Sequence, residues 1–325
     1  MKLINKNDRI FIAGHKGMVG SAIKRKFELE GYKNILTVSK KHLDLRNLKQ
    51  VEDWFIKNKP DVVVLAAAKV GGIYANNKFP ADFIFDNLNI QINVIQTAFK
   101  NKVKRLLFLG SSCIYPKLAD QPLIEDYLLS GSLEETNEWY AIAKIAGIKM
   151  CDALRRQFDF DAISLMPTNL YGKNDNYHPE NSHVFASFIK KYSDAVSFNK
   201  KNVICWGSGS PKREFLCVDD LADASLFALE EWSPSLQNAP KDNLGKTLTF
   251  LNVGSGIEIG IKELAKKISN ISGFKGETNW DLSKPDGTPR KLLDNSKLSK
   301  LGWKSKITLD DGIKMALEDY SKLKI

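Results

Sequence analysis

Tyr140 and Lys144 are the first residues whose type and spacing suggest chemistry. On a helix, positions i and i+4 share a face. A lysine cation there lowers the pKa of a phenol, which then gives or takes a proton near neutral pH. The spacing alone is weak, because Tyr74/Lys78 and Tyr320/Lys324 repeat it. Context selects Tyr140: this tyrosine opens a long helical stretch that follows a strand ending in Gly110-Ser111-Ser112. Ser111 can hold a carbonyl beside the phenol. Ser111, Tyr140 and Lys144 together read as a hydride-transfer site acting on a ketone.

Hydride transfer needs a nucleotide donor, and the chain has a place for one. Gly14-His15-Lys16-Gly17-Met18-Val19-Gly20 is a G-x-x-G-x-x-G turn between an apolar run and a helix pattern. Glycines there let backbone N–H groups approach a pyrophosphate, and the helix N-terminus favours its charge. The spacing is that of short-chain dehydrogenases. The second strand ends in Ser39-Lys40-Lys41, without the acid that would hold a ribose 2′-OH. Lys40, with Lys16, suits a 2′-phosphate, so the expected cofactor is NADP(H). Asp44 falls near the adenine, and Ala66-Ala67-Ala68 offers a small-residue floor.

Cys113 stands two residues beyond Ser111, and in an extended chain both side chains point the same way. A thiol beside a ketone can act as base on the adjacent C–H if it has thiolate character. On composition alone the reading to back is a buried structural cysteine, the usual fate of a lone Cys. His183 reads as an incidental loop histidine by the same standard.

The elements that must position these groups alternate strand and helix. Strands are expected at Arg9–Ala13, Ile35–Val38, Asp61–Leu65, Arg105–Leu109 and Ala162–Met166. Helices are expected at Ser21–Gly31, Leu48–Asn58, Asn87–Lys100 and Tyr140–Phe158. Apolar strands separated by helices imply an α/β fold: a Rossmann-type doubly wound parallel sheet with a smaller, mixed C-terminal substrate-binding lobe. Residues 1–170 form the nucleotide domain, with returning segments at about 213–232 and 248–255 whose strands, Phe215–Val218 and Phe250–Val253, rejoin the sheet. Residues 171–212 and 256–325 form the lobe.

The 325 residues are 43% hydrophobic and 26% charged, a composition that buries a core. The net charge of +10 comes from lysines scattered along the chain, so it reads as a solvated surface and not a nucleic-acid site. The four cysteines form no C-x-x-C pair, and no metal site is expected. No apolar run reaches a membrane span, and the stretch from Met1 to Ile12 lacks a signal-peptide pattern; a cytoplasmic enzyme is expected.

Longer stretches carry a resemblance. The glycine turn, Ala66–Gly72 (AAAKVGG), Leu109–Pro116 (LGSSCIYP), Tyr140–Gly147 (YAIAKIAG) and Met166–Gly172 (MPTNLYG) resemble the GDP-L-fucose synthases, a family of extended short-chain dehydrogenases. So do Asn181-Ser182-His183, Trp206–Gly209 (WGSG) and Pro285–Leu293 (PDGTPRKLL), in the same order along nearly the whole chain.

The resemblance implies NADPH-dependent conversion of GDP-4-keto-6-deoxy-mannose to GDP-L-fucose for surface glycans: epimerisation at C3 and C5, then reduction at C4. It implies that Ser111 and Tyr140 hold the ketone oxygen, that Lys144 holds the nicotinamide ribose and tunes the tyrosine, and that Cys113 and His183 are the epimerising base and acid. Pro167, Thr168, Asn169 and Leu170 would border the nicotinamide, and Leu45, Leu109, Gly110, Ser112 and His183 would complete the cofactor set. Lys191, Trp206, Arg213 and Lys291 would face the GDP-sugar, together with Ser112 and Asn169. A homodimer through a four-helix bundle of the helices at Asn87–Lys100 and Tyr140–Phe158 is also implied. Two positions depart from the family pattern. Trp139 replaces a smaller residue next to the tyrosine, and Cys217 stands where histidine is common. Trp139 motivates the alternative of a 4-ketoreductase for a GDP-4-keto-6-deoxy-heptose, with little or no epimerase activity.

Overall fold

The computed structural model describes residues 2–179, 182–284 and 286–323. Asn181, Pro285, Lys324 and Met1 of the stretches above lie outside them, as does the side chain of Tyr74.

The first unit is β1 (Ile10–Ala13), α1 (Met18–Leu29), β2 (Ile35–Leu36), α2 (Leu48–Asn58) and β3 (Val62–Leu65). The helix α3 (Ile73–Lys78), α4 (Pro80–Lys100), β4 (Arg105–Leu109), α5 (Glu138–Phe158) and β5 (Ala162–Pro167) follow. Every residue of β1, β3, β4 and β5 is buried, as continuous apolar strands in a doubly covered sheet must be. Two helices begin earlier than their apolar patterns suggested. For α1 the last residues of the glycine turn already form its first turn. For α4 Pro80 occupies the first turn, where its missing N–H costs nothing.

After β6 (Asn169–Tyr171), α6 (Val184–Ser197), β7 (Asn202–Trp206) and β8 (Lys212–Cys217) come α7 (Val218–Glu231), β9 (Phe250–Val253) and β10 (Glu258–Gly260). The chain ends with α8 (Ile261–Ser272), β11 (Glu277–Asp281), β12 (Arg290–Lys291), α9 (Ser296–Lys300) and α10 (Leu309–Lys322). Six parallel strands run β2-β1-β3-β4-β5-β9. In register, Ala13 lies beside Leu65, Leu65 beside Phe108, Leu109 beside Leu165 and Pro167 beside Val253. The carboxyl ends of the central strands thus share one edge, where open α/β sheets bind ligands.

The returning segment divides. β9 joins the main sheet as expected, and α7 packs against α1 with Leu221, Ala222 and Leu226 in the main core. The strand β8 does not return. It pairs with β6, β10 and β12 in a separate small sheet, with Arg213 and Lys212 in register with Ile259 and Gly260 on one side and with Lys291 and Arg290 of β12 on the other. Leu293, Leu298 and Trp303, assigned above to the lobe, pack into the main core. A second core gathers Phe185, Phe188, Tyr192, Phe215, Leu264 and Ile313.

Candidate active site

The turn between β1 and α1 is a cradle for an anion. Gly14 sits at φ +93, and a Cβ there would lie 2.7 Å from the backbone nitrogen of Ala67. A Cβ on Gly20 would fall onto the carbonyl oxygen of Gly14. Gly17 caps α1 without a side-chain hydrogen bond, and the first turn carries no acid. Its N–H groups therefore point outward with no competing negative charge, which fits a pyrophosphate. Burial, with Lys16 and Lys24 nearby, holds His15 below the usual imidazole range.

Beyond β2, Lys40 is exposed, and its charge helps to lower Asp44. Asp44 forms a two-oxygen pair with Arg46 at 2.6–3.2 Å, which holds its carboxyl at about 2. Asn93 ties down the same loop by donating to the carbonyl of Leu45 at 3.0 Å. Ala66, Ala67 and Ala68 follow β3, the first donating to the Ala13 carbonyl at 3.0 Å.

Lys144 is buried, and its Nζ donates to the carbonyl of Leu109 at 2.8 Å. It lies 5.6 Å from the centre of the Tyr140 ring. Burial lowers its pKa to about 8, opposed by the neighbouring Cys113. Tyr140 corrects one expectation: burial raises its pKa instead of Lys144 lowering it, with Cys113 adding to the rise. The phenol is thus protonated at neutral pH, as a proton donor to a ketone oxygen must be.

A second correction concerns Ser111 and Cys113. The chain is not extended there: Ser112–Ile114 is a short 3-10 turn. Ser111 caps it, its Oγ accepting from the backbone N–H of Cys113 at 3.3 Å. Gly110 is pressed against Met166, where a Cβ would meet the thioether. Ser112 and Cys113 are buried. Burial pushes the Cys113 thiol up, while Lys291, the Ser111 hydrogen bond and Lys144 pull it down. His183 precedes α6 without a capping hydrogen bond from its side chain, and it is exposed. Crowding by protein atoms, then Lys291, keeps the imidazole below its usual range.

On the lobe side, Arg213 of β8 and Lys291 of β12 are register partners on adjacent strands. Neither forms an ion pair within 4.0 Å among the described residues, and burial lowers both. Asp286 and Glu134 act on them only at longer range, and two adjacent cations without an ion-pair partner suit a diphosphate. Lys191 donates to the carbonyl of Ile204 at 2.9 Å and lies 5.4 Å from the Trp206 ring. Trp206 is half exposed. Pro167 ends β5. Thr168 and Asn169 both donate to the carbonyl of Glu214, at 3.3 and 2.8 Å, and Leu170 packs against the main core.

The chain as a whole has counterparts among known proteins. Residues 10–239 match the model of the NAD dependent epimerase/dehydratase family. The chain belongs to this family. Within it, the chain is 55% identical over 318 residues to a putative GDP-L-fucose synthase 2 of Arabidopsis thaliana, covering 98% of this chain and 93% of that one. It is 51% identical to the GDP-L-fucose synthase of Escherichia coli strain K12, covering 94% of each. Among solved structures, MlghC, a GDP-mannoheptose C4 reductase of Campylobacter jejuni with NADP bound, superposes at a TM-score of 0.87. It shares 38% identity over 98% of this chain and 99% of that one.

Several residues of this family member were not legible from its motifs. Phe83 meets the Tyr140 ring edge-on at 6.4 Å and packs against Gly71. Asn87, almost fully buried, clamps the loop after β3, accepting from Lys69 N at 2.9 Å and donating to Lys69 O at 3.0 Å. An asparagine on the apolar stripe of α4 was the available signal. Lys284 lies 5.4 Å from Trp206, a lysine with no pattern to mark it. Glu214 is fully buried and accepts from Gly256 N at 2.7 Å and Leu293 N at 3.0 Å, fixing the strand that carries Arg213.

Proposed function

We propose that this protein is an NADPH-dependent epimerase-reductase that converts GDP-4-keto-6-deoxy-mannose to GDP-L-fucose. The observation that carries this reading is the gathering of Ser111, Tyr140, Lys144 and Lys291 around Cys113 beyond the strand ends, in a chain 51% identical to the GDP-L-fucose synthase of Escherichia coli. NADPH, when bound, supplies the hydride to C4. The glycine turn and α1 hold its pyrophosphate, Lys40 and Lys16 meet its 2′-phosphate, and Ala66–Ala68 with Pro167–Leu170 line its nicotinamide half. Asp44 and Leu45 flank the adenine side.

Arg213 and Lys291 take the diphosphate of the sugar nucleotide, and Trp206 with Lys191 takes its base. Ser111 and Tyr140 hold the C4 oxygen. Cys113, as thiolate, removes the proton on a carbon next to the ketone, and the electron pair moves onto the C4 oxygen. His183, as imidazolium, returns a proton to the opposite face, and one proton passed back from the thiol through solvent resets the pair. Tyr140 then protonates the C4 oxygen during reduction. The unpaired cysteines favour a reducing compartment, and we place the enzyme in the cytoplasm, supplying surface-glycan synthesis.

The test is NADPH oxidation with GDP-4-keto-6-deoxy-mannose in D2O, the product read by NMR. Fucose-configured product with deuterium at C3 and C5 is expected. Reduced product without deuterium removes the epimerase part. Similarity to the heptose C4 reductase keeps a second reading, a GDP-4-keto-6-deoxy-heptose reductase, and faster turnover of the heptose than the hexose would favour it. Trp139, which motivated that reading, shares an exposed stripe of α5 with Ile142, one helical turn away.

That stripe supports a homodimer. Phe85 and Ile92 on α4 stand 64% and 42% exposed, and Trp139 and Ile142 on α5 each stand 39% exposed. α4 and α5 pack side by side, so two copies placed face to face form a four-helix bundle. Phe85→Glu with Ile92→Glu is expected to halve the mass seen by light scattering. A native chain that is already monomeric at micromolar concentration ends this proposal.

Lys144 gives a pH dependence. Its ammonium is charged below about 8 and neutral above. Turnover that relies on that charge falls as pH rises through this value, so NADPH oxidation is expected to decline on the alkaline side from near pH 8. A rate that stays level across the alkaline range rules out the role.

A further inference from the structure

A very short strand holds its register weakly. β12 pairs with β8 only through Arg290 beside Lys212 and Lys291 beside Arg213. A slip by one residue would turn Lys291 to the opposite face and part it from Arg213. The pairing that brings the two cations together needs a hold beyond the backbone ladder.

Glu214 supplies one. It follows Arg213 on β8, so its side chain points to the opposite face of the strand, and it is fully buried. Its Oε2 accepts from the backbone N–H of Leu293 at 3.0 Å, just past the point where β12 has ended. Its Oε1 accepts from the backbone N–H of Gly256 at 2.7 Å, in the loop that leaves β9. A Cβ on Gly254 would fall 2.3 Å from that same oxygen, so the loop is shaped around the carboxylate. One side chain thus joins the strand of Arg213, the continuation of the strand of Lys291 and the edge of the main sheet. The other bonds to this continuation run elsewhere. Leu292 N donates to Gln121 Oε1 at 2.9 Å and Leu123 N to Leu292 O at 2.8 Å, which ties the segment to residues 121–123 and not to β8.

A carboxylate is a costly residue to bury for packing alone. Burial raises its pKa, and the leading groups that oppose the rise are hydrogen-bond donors, Leu293 N–H first, and not a cation. What it contributes that an aliphatic side chain cannot is a pair of fixed acceptor oxygens.

We propose that Glu214 is a positioning residue for the sugar nucleotide: its carboxylate pins β12 in register with β8 and so holds Lys291 beside Arg213 for the diphosphate. This rests on the reading of the two cations as the diphosphate site of a GDP-sugar. Glu214 acts only through them. Its backbone carbonyl, which accepts from Thr168 and Asn169 at the expected nicotinamide border, is kept in any side-chain variant. The role is therefore confined to the sugar nucleotide and leaves NADPH alone.

Glu214→Gln keeps the size but has a single acceptor oxygen, so its amide NH2 must face the N–H of Leu293 or of Gly256. The Kd for GDP, read by calorimetry, and KM for GDP-4-keto-6-deoxy-mannose are expected to rise about tenfold, the lower end for a hydrogen bond to a charged group. The Kd for NADPH and kcat at saturating sugar should stay within about twofold of native values. In a Lys291→Gln background the same change should add less than about twofold, because register no longer places a cation. Gly254→Ala, which presses a methyl onto Oε1, is the second variant and should weaken GDP binding in the same way, including where the glutamine chain does not fold. A lowered Tm with unchanged GDP affinity, equal weakening of GDP and NADPH, or full additivity with Lys291→Gln overturns the role. A native chain that binds NADPH but not GDP instead sinks the diphosphate site, and the positioning role with it.

Discussion

Tyr140→Phe is expected to lower the rate of ketone reduction about a thousandfold, within the range for loss of a positioned proton donor. The argument is the state of the phenol. Burial holds Tyr140 protonated, so it arrives at the ketone already carrying the proton that the C4 oxygen needs once hydride is delivered. Phenylalanine keeps the ring and its edge contact with Phe83. It removes the hydroxyl alone, so NADPH affinity, followed by fluorescence titration, should be retained. Unimpaired reduction by this variant would show that another group, with Ser111 the nearest alternative, supplies the proton.

Cys113→Ser is expected to cut deuterium exchange at C3 and C5 at least about a hundredfold. It should spare reduction of a 4-keto sugar that already has the final configuration. A serine hydroxyl is far less acidic than a thiol, and here the thiol itself needs help. Burial opposes thiolate formation, and Lys291 is the first of the groups that favour it, ahead of Ser111 and Lys144. The same lysine holds down the His183 imidazole, so Lys291 acts on both members of the proposed base–acid pair. Label exchange is read by NMR in D2O without NADPH, which separates it from hydride transfer. Full exchange by the serine variant would remove Cys113 from the chemistry.

The parts legible in the sequence were those set by local pattern. α2 and β4 lie at the residues their apolar periodicity marks, because α2 is closed by Asn47 at one end and by Lys59 in a left-handed conformation at the other. The glycine turn was legible because a steric demand leaves one residue type possible. What escaped was set by distant pairing. β8 is charged over Lys212–Glu214 and apolar over Phe215–Cys217, a pattern that does not name its sheet, and its partners β10 and β12 come from residues 258–260 and 290–291. The 3-10 turn at Ser112–Ile114 depends on a serine cap that also passes for extended chain. The acidity of Tyr140 was misjudged because burial, invisible in sequence, governs it, with Cys113 adding to the rise. The adjacency of Arg213 and Lys291 depends on strand register, which no spacing encodes.

The arrival of β9 also sets an order for biosynthesis. β5 has β4 on one side and β9 on the other, and β9 is supplied by residues 250–253. A nascent chain released only as far as Pro167 has a Rossmann half whose last buried strand is an open edge. Leu293, Leu298 and Trp303, which close the same core, emerge later still. At roughly 5–20 residues per second, that edge waits for several seconds or more behind the ribosome. The nucleotide cradle near the N-terminus therefore leaves the ribosome long before the sheet beneath it can be completed.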